Sequence, residues 1–320
     1  MPQPSKSDIH VNRPLTNISI AHTQDSSQYI ASKVFPTIPV EKSSDKYFVY
    51  PKDQWFRTDA KKRGYSQESA GSGFGIDADN YSCEVQALHK DIDDKLRPDA
   101  DAPIKLDSDA TLFVTDQMLL RREKDWANRY FVPNLWTGSL AGLDVTPSIL
   151  WDASGAIPIK NLRAQRGAMK KKTGRSPNTL VLAEDVWDVL QDSADFLSRI
   201  KLASDQVVTT ALLAKVLELD RVLIAGAVEN TANEGATATM DWVYSKAAAL
   251  YYAAPNPSIM QPSAGYTFAW KGYLGASKDG MRIKKFRMEP IASDRIEGEI
   301  AYDQKVVAAD LGVFFKDVIS

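Results

Sequence analysis

The sequence predicts an α+β fold, and three observations carry that expectation. Residues 108–131 read as one long amphipathic helix. Strand-like runs of aromatic and β-branched residues occur early, at 47–50 and 81–88, and again late, at 283–288, 296–302 and 311–315. Between them, helical patterns alternate with short apolar strands. Strands that return at the end of a chain point to a sheet whose first members come much earlier.

Composition sets the outer bounds. The 320 residues suffice for two domains or one elaborated domain, and 44% hydrophobic with 25% charged residues is ordinary for a globular protein. There is no apolar run of 18 residues, so no membrane span is expected. The first ten residues lack the apolar core of a signal peptide, so the chain is expected to stay in the cytoplasm where it is made. Cys83 is the only cysteine, which leaves no intrachain disulfide and no cysteine-based zinc site. A net charge of −2 gives no global attraction to nucleic acid, so any contact with DNA is weak or local.

Residues 1–34 are polar, with Pro2, Pro4 and Pro14 and no sustained period. They read as an extended arm with Ile18, Ile20, Ile30 and Val34 as scattered anchors. The strand signals at 47–50 and 81–88 flank a polar segment holding Gly64, Gly71, Gly73 and Gly75. So long an irregular segment is rare in a compact domain unless it has a job. It reads as a two-stranded hairpin projecting from the body, with a flexible surface loop as the alternative. A lone hairpin is marginal in water, so it needs a surface to lie on.

Residues 89–107 are rich in aspartate, including Asp91, Asp93 and Asp94, but lack the spacing of a calcium-binding loop. A solvated or interface face is the expectation. In the long helix, Ser108 is the expected N-cap, with Asp109 in the first turn where the helix dipole favours a negative charge. Leu112, Thr115, Leu119, Trp126 and Tyr130 share a 3.6-residue period and are expected to face the core. The run from Arg121 to Asp125 interrupts that face in part. Pro133 disfavours helix just before it, which sets the end.

A second helix is expected over 157–172, with Ile159, Leu162 and Met169 inward and Gly174 as C-cap. Its basic end, Lys170, Lys171 and Lys172, suits the helix dipole; a phosphate site is the other reading. A buried strand follows at 178–182, then helices at 183–191 and 209–217 and a strand at 222–225. A small-residue loop spans 227–237, Trp242 and Tyr244 are placed on a further strand, and another is expected at 266–270.

The search for chemistry comes out empty. There is no GxxxxGK[ST] loop and no GxSxG elbow, and the clustered glycines do not sit at a strand-to-helix turn. His10, His22 and His89 are far apart, so no imidazole is positioned for a metal or a triad. The spread of Trp126, Trp136, Trp151, Trp187, Trp242 and Trp270 suits a large core or extensive contacts. No catalytic, cofactor-binding or metal residue is assigned, which favours a structural or assembly role.

The order of parts then carries a resemblance. The polar arm, the Gly-rich hairpin and HKDIDDKLRPDADAP precede MLLRREKDWANRYF, and LVLAEDVWDVLQD, RVLIAGAVENTA and DWVYSKAAALYY follow. This resembles, over nearly the whole chain, the major capsid proteins of tailed double-stranded DNA phages, the Hong Kong ninety-seven type fold. The resemblance implies an arm at 1–34, an extended loop with its base at 35–90, a peripheral domain at 91–178 plus 280–320 with spine helix 108–131, and an axial domain at 179–279. It also implies self-assembly into hexamers and pentamers of an icosahedral shell around the phage genome. The implied partners are other copies, portal, scaffolding and decoration proteins, and DNA held non-specifically. The implied location is the virion, after assembly in the host cytoplasm. A bacterial encapsulin-type nanocompartment shell is the alternative. One contact is expected: the basic hairpin flank, Arg57, Lys61, Lys62 and Arg63, against the acidic edge of a neighbour at Asp91, Asp93 and Asp94.

Overall fold

The computed structural model describes residues 25–50, 52–100, 104–200, 208–258, 261–274 and 281–320. The first 24 residues of the expected arm therefore lie outside the described residues. What is described of the arm ends in a short helix, α1 (Ala31–Val34), and a strand, β1 (Thr37–Val40), follows it. Ile30, Ala31, Val34 and Phe35 are buried there, so the arm root is part of the core.

The hairpin follows as β2 (Ser44–Val49), a turn of helix α2 (Lys52–Trp55) and β3 (Asp77–Ser82). β2 and β3 pair antiparallel, Ser44 opposite Ser82 and Val49 opposite Asp77. β4 (Glu84–Asp93), the turn α3 (Leu96–Asp99) and the long helix α4 (Leu106–Tyr130) come next. At ~1.5 Å per residue α4 is roughly 37 Å long.

Two sequence expectations for α4 are corrected. Spine helix 108–131 starts two residues earlier and ends one earlier, its N-cap is Lys105 without a side-chain cap, and Ser108 lies inside the helix. The buried face runs through Ala110, Val114 and Met118, whereas Leu112 is 55% exposed. The cause is the surface beneath. α4 crosses the sheet at Gly298, where a Cβ would stand 2.5 Å from Val114 Cγ1. Close approach selects the face with the small and slender side chains and turns Leu112 outward.

α5 (Pro158–Thr173) carries the predicted inward residues, with Ile159, Leu162 and Met169 buried. It ends on Gly174 at φ 70°, a left-handed C-cap that glycine adopts without steric cost. Then come β5 (Thr179–Ala183), α6 (Glu184–Gln191), α7 (Ala194–Ile200), α8 (Thr210–Leu217) and β6 (Arg221–Ala225). Thr209 caps α8, its side chain accepting from the Leu212 amide. The small-residue loop expected over 227–237 is corrected at its start, where β7 (Val228–Asn230) pairs with β8 (Met240–Trp242) and leaves the loop between the two strands. Tyr244, expected on a strand, lies beyond β8 and is buried. β9 (Ala248–Tyr251), β10 (Gly265–Trp270), the turn α9 (Lys271–Leu274), β11 (Met281–Met288), β12 (Ser293–Val306) and β13 (Gly312–Phe315) complete the order.

Two sheets organise the body. In the larger, β12 is the common strand. One edge of it pairs with β4, and the other with β11 and then β10, which pairs in turn with β1. The smaller sheet runs β13-β9-β5-β6, with β5 and β6 parallel and the other pairs antiparallel. β5 and β9 are buried at every residue, which explains their unbroken apolar sequences. Thus β10 joins the sheet of β4 and β12, and β13 joins that of β5.

An aromatic core binds these layers. Phe35 lies 5.6 Å from Trp126 edge-on, Trp126 lies 6.1 Å from Tyr244 and Tyr251, and Trp136 lies 4.9 Å from Tyr251. Rings from the arm root, α4, the following loop and β9 therefore meet at one point. Such pairs contribute about 0.5–1.5 kcal/mol each beyond area burial.

Candidate assembly interface

The hairpin is fixed at its root and open at its far end. At the root, Tyr81 stacks on Phe268 at 4.6 Å and Tyr47 lies 5.4 Å from the same ring. The Ser82 amide donates to Asp303 at 2.8 Å, and the Tyr47 hydroxyl donates to Asp79 at 2.8 Å. The buried Cys83 thiol donates to the Phe268 carbonyl, and burial pushes its pKa up to about 12. At neutral pH this cysteine is an inert packing residue.

Beyond the root, apolar side chains face solvent. Phe48, Trp55, Phe56, Phe74 and Ile76 are each more than half exposed, and Tyr65 is fully exposed. Tyr50, Trp55 and Phe74 gather into one cluster with centroids 5.3–6.2 Å apart. The hairpin returns to the body at two points, where Phe56 lies against Gly174 and Lys52 pairs with Asp310. Large exposed apolar patches mark interaction surfaces on otherwise polar molecules. Six such side chains expose on the order of 600 Å², or about 15 kcal/mol of gross transfer free energy at ~25 cal/mol per Å². Only part of that survives the entropic cost of association.

The charged residues expected at an interface are arranged differently from one another. Lys61 and Lys62 are exposed on the hairpin, while Arg57 pairs with Asp59 and Arg63 donates to the Gln67 carbonyl. Asp91 lies at the end of β4 and takes a two-point contact from Arg295 at 2.7 and 2.8 Å. Asp94 is gripped by Arg287 at 2.6 Å through both oxygens. These hydrogen bonds hold both carboxyls below their ordinary range. Asp93 accepts from the Lys95 amide. Within the described residues no ion pair joins the basic flank to the acidic edge, and the edge is matched to its own strands β11 and β12.

A second group ties the arm to the body, and the sequence reading passed over it. Glu123, inside the charged run of α4, is 1% exposed. Its carboxylate accepts from the Ile30 amide at 2.8 Å, the Ala31 amide at 3.0 Å and the Tyr244 hydroxyl at 2.6 Å. Burial raises its pKa, against the lowering effect of those donors. It caps the arm helix from a distance of 93 residues. Lys124 beside it pairs with Glu229 of the β7–β8 ribbon. Residues in an alternating charged run give no sequence signal for which of them points inward.

These features, a protruding loop rooted on a β-sheet, a long helix across that sheet and a separate smaller sheet, recur in known proteins. A phage-related protein from Bordetella bronchiseptica RB50 superposes with a TM-score of 0.71 at 21% identity, over 92% of this chain and 93% of that one. The bacteriophage PhiM1 mature capsid superposes at 0.62 with 14% identity, over 97% and 92%. The chain has the phage capsid fold of the Hong Kong ninety-seven type. An encapsulin from Synechococcus elongatus shares this capsid fold with a TM-score of 0.57 at 11% identity, over 96% and 95%. In sequence, the chain is 25% identical to the major capsid protein of Burkholderia phage BcepMu over 273 residues, 82% of this chain and 84% of that one. It is 23% identical to the major capsid protein of Pseudomonas phage JBD67 over 327 aligned positions, 99% of each chain. No protein-family model matches.

Among the described residues, no helix is long and apolar enough to cross a membrane, and no cluster of ligating side chains could hold a metal ion.

Proposed function

We propose that this chain is the major capsid protein of a tailed phage, a structural subunit whose copies form the hexamers and pentamers of an icosahedral shell around double-stranded DNA. The observation that carries the proposal is the hairpin: an apolar cluster held out from a body of capsid fold. Sequence similarity to two phage major capsid proteins along 82–99% of the chain supports it. In this reading the arm covers 1–34, the extended loop 35–90, the peripheral part 91–178 plus 280–320, and the axial part 179–279. The virion is its final location, assembly takes place in the host cytoplasm, and portal, scaffolding and decoration proteins are its further partners. Contacts between copies around a rotation axis are heterologous and close into rings, as capsomers require.

The basic flank of the hairpin belongs to this proposal. Arg57, Lys61, Lys62 and Arg63 of one copy approach the edge carrying Asp91, Asp93 and Asp94 in the next. Because Asp91 and Asp94 are already paired with Arg295 and Arg287, the flank joins existing ion pairs there, while Asp93, bonded to the Lys95 amide, is the acid without an ion pair among the described residues. The shared fold of the encapsulin sustains a second reading, a shell that encloses protein cargo.

The test is negative-stain electron microscopy of the purified full-length chain beside its size-exclusion profile. Shells, rings of five or six, or curved sheets support the proposal, and nucleic acid inside purified particles favours the phage reading over the nanocompartment. A compact monomer at all concentrations, with or without a scaffolding protein, refutes it.

A further inference from the structure

One strongly charged surface has no counterpart in the features above. α5 contains six basic residues, Lys160, Arg163, Arg166, Lys170, Lys171 and Lys172, and no acidic one. Lys172 turns inward to the carbonyls of Thr137 and Ser139, and Arg166 pairs with Glu218. Lys160, Arg163, Lys170 and Lys171 are exposed. At 3.6 residues per turn these four fall within about 100° of arc and span about 17 Å along the axis. Lys215 of the adjoining α8 is exposed as well. The nearby acids are occupied: Asp195 accepts from the Ile159 amide and pairs with Arg199, and Glu218 is held by Arg166.

The contrast with the β4–β11–β12 surface is informative. There, Arg295, Arg287, Lys285 and Arg97 each face an aspartate of the same chain. On α5, Lys160, Lys170 and Lys171 have no ion pair among the described residues. Helix-dipole complementarity accounts for charge in the last turn, at Lys170 to Lys172. It does not account for Lys160, which sits in the first turn, where positive charge is unfavourable; Arg163 donates to the Val216 carbonyl at 2.6 Å and keeps its charge at the surface.

The same face holds a residue that the subunit's packing leaves unexplained. Gly167 lies mid-helix and exposed, and a Cβ there would meet nothing within 4 Å. A glycine in a helix interior costs about 0.5–1 kcal/mol relative to alanine. With Ala164 one turn away, it leaves a low lane between the cations at either end. A lane flanked by cations suits a long polyanion that approaches the backbone closely.

We propose that the exposed face of α5 binds the phosphate backbone of duplex DNA and lines the inner wall of the shell. This rests on the capsid reading above. It also reconciles a chain of net charge −2 with a DNA cargo, because the attraction is confined to one helix face. Recognition is by charge alone and has no base preference.

The test compares the full-length chain with the K160Q/K170Q/K171Q variant, which removes three charges and leaves polar, helix-compatible side chains. Fluorescence anisotropy of a labelled 25-base-pair duplex is read from 50 to 200 mM salt, and electron microscopy follows assembly in parallel. Each phosphate neutralised contributes ~0.9 to the salt slope, so the variant should lose about 2.7 from that slope and about tenfold or more in affinity at 100 mM salt. An unchanged slope in a variant that still forms shells overturns the inference and leaves the capsid reading standing. Binding of a poly-glutamate peptide as tightly as the duplex overturns it in favour of an acidic protein partner. A slope lowered in the variant, beside a wild-type chain that never assembles, keeps the DNA-binding face and removes the capsid reading.

Discussion

Replacing Glu123 with alanine tests how the arm is attached. The substitution strands three donors, the Ile30 and Ala31 amides and the Tyr244 hydroxyl, at positions 0–1% exposed to solvent. A buried donor without a partner costs about 1–3 kcal/mol. Removing the buried carboxylate returns part of that as relieved desolvation, so the net loss for Glu123→Ala is about 3–5 kcal/mol. Glu123→Gln keeps one acceptor oxygen and turns an amino group towards a backbone N–H, which costs about 1–3 kcal/mol. The assay is urea unfolding of the unassembled subunit, read by tryptophan fluorescence, with hydrogen exchange at the Ile30 and Ala31 amides. Both variants should lower the midpoint without changing its slope, and both amides should lose protection. A Glu123→Ala subunit within 1 kcal/mol of wild type, or one whose amides stay protected, refutes the reasoning. The pH dependence carries a sign as well. Burial places the folded-state pKa of Glu123 above its ordinary value of 4.5. Between 4.5 and that raised value the native state holds a proton that the unfolded chain has released, so this group's contribution to stability falls as pH rises through that window. Glu123→Gln should remove that decline.

Three further outcomes follow from the same geometry. Reversing Lys61, Lys62 and Arg63 to glutamate should leave the subunit's unfolding midpoint unchanged and reduce shell yield, and unaltered yield by electron microscopy would discard the flank as a contact; single exposed pairs contribute only ~0–1 kcal/mol, so the cluster must be changed together. Trp55→Ala with Phe74→Ala should likewise spare the fold, because both rings are more than half exposed, and should weaken assembly more than the charge reversal does in high salt, where ionic contacts are screened. Gly298→Val places a side chain where Val114 Cγ1 already stands 2.5 Å from an ideal Cβ, so it should destabilise the subunit by about 1–3 kcal/mol or more, visible as a lowered melting temperature.

Much of the architecture was readable from local pattern. Gly174 as C-cap, Thr209 at the head of α8 and the apolar run of β5 follow from backbone sterics, hydrogen-bond capping and burial on both faces. The hairpin was legible because a long polar segment between two strand signals has few other solutions. What failed depended on partners distant in sequence. Local period places Leu112 on the inner face of α4, but the deciding contact is with Gly298, far along the chain. Ser108 was a good cap by type, yet Lys105 begins the helix. The acidic run at 91–94 reads as a free surface until β11 and β12 supply Arg287 and Arg295. Glu123 was invisible for the same reason: its donors come from the arm and from the segment after β8.

The central strand β12 has a temporal consequence. Its partner β4 is made early, but β12 itself comes some 200 residues later in the sequence. The hairpin's seat also comes late, since Phe268 follows Cys83 by 185 residues. At 5–20 residues per second the hairpin waits about 10–40 s during synthesis before its mount exists. Closure of the larger sheet must wait longer, and its pairings are non-local and slow to form. The apolar loop thus has no seat until Phe268 has been translated, so the surface proposed to meet other copies takes its final position late in synthesis.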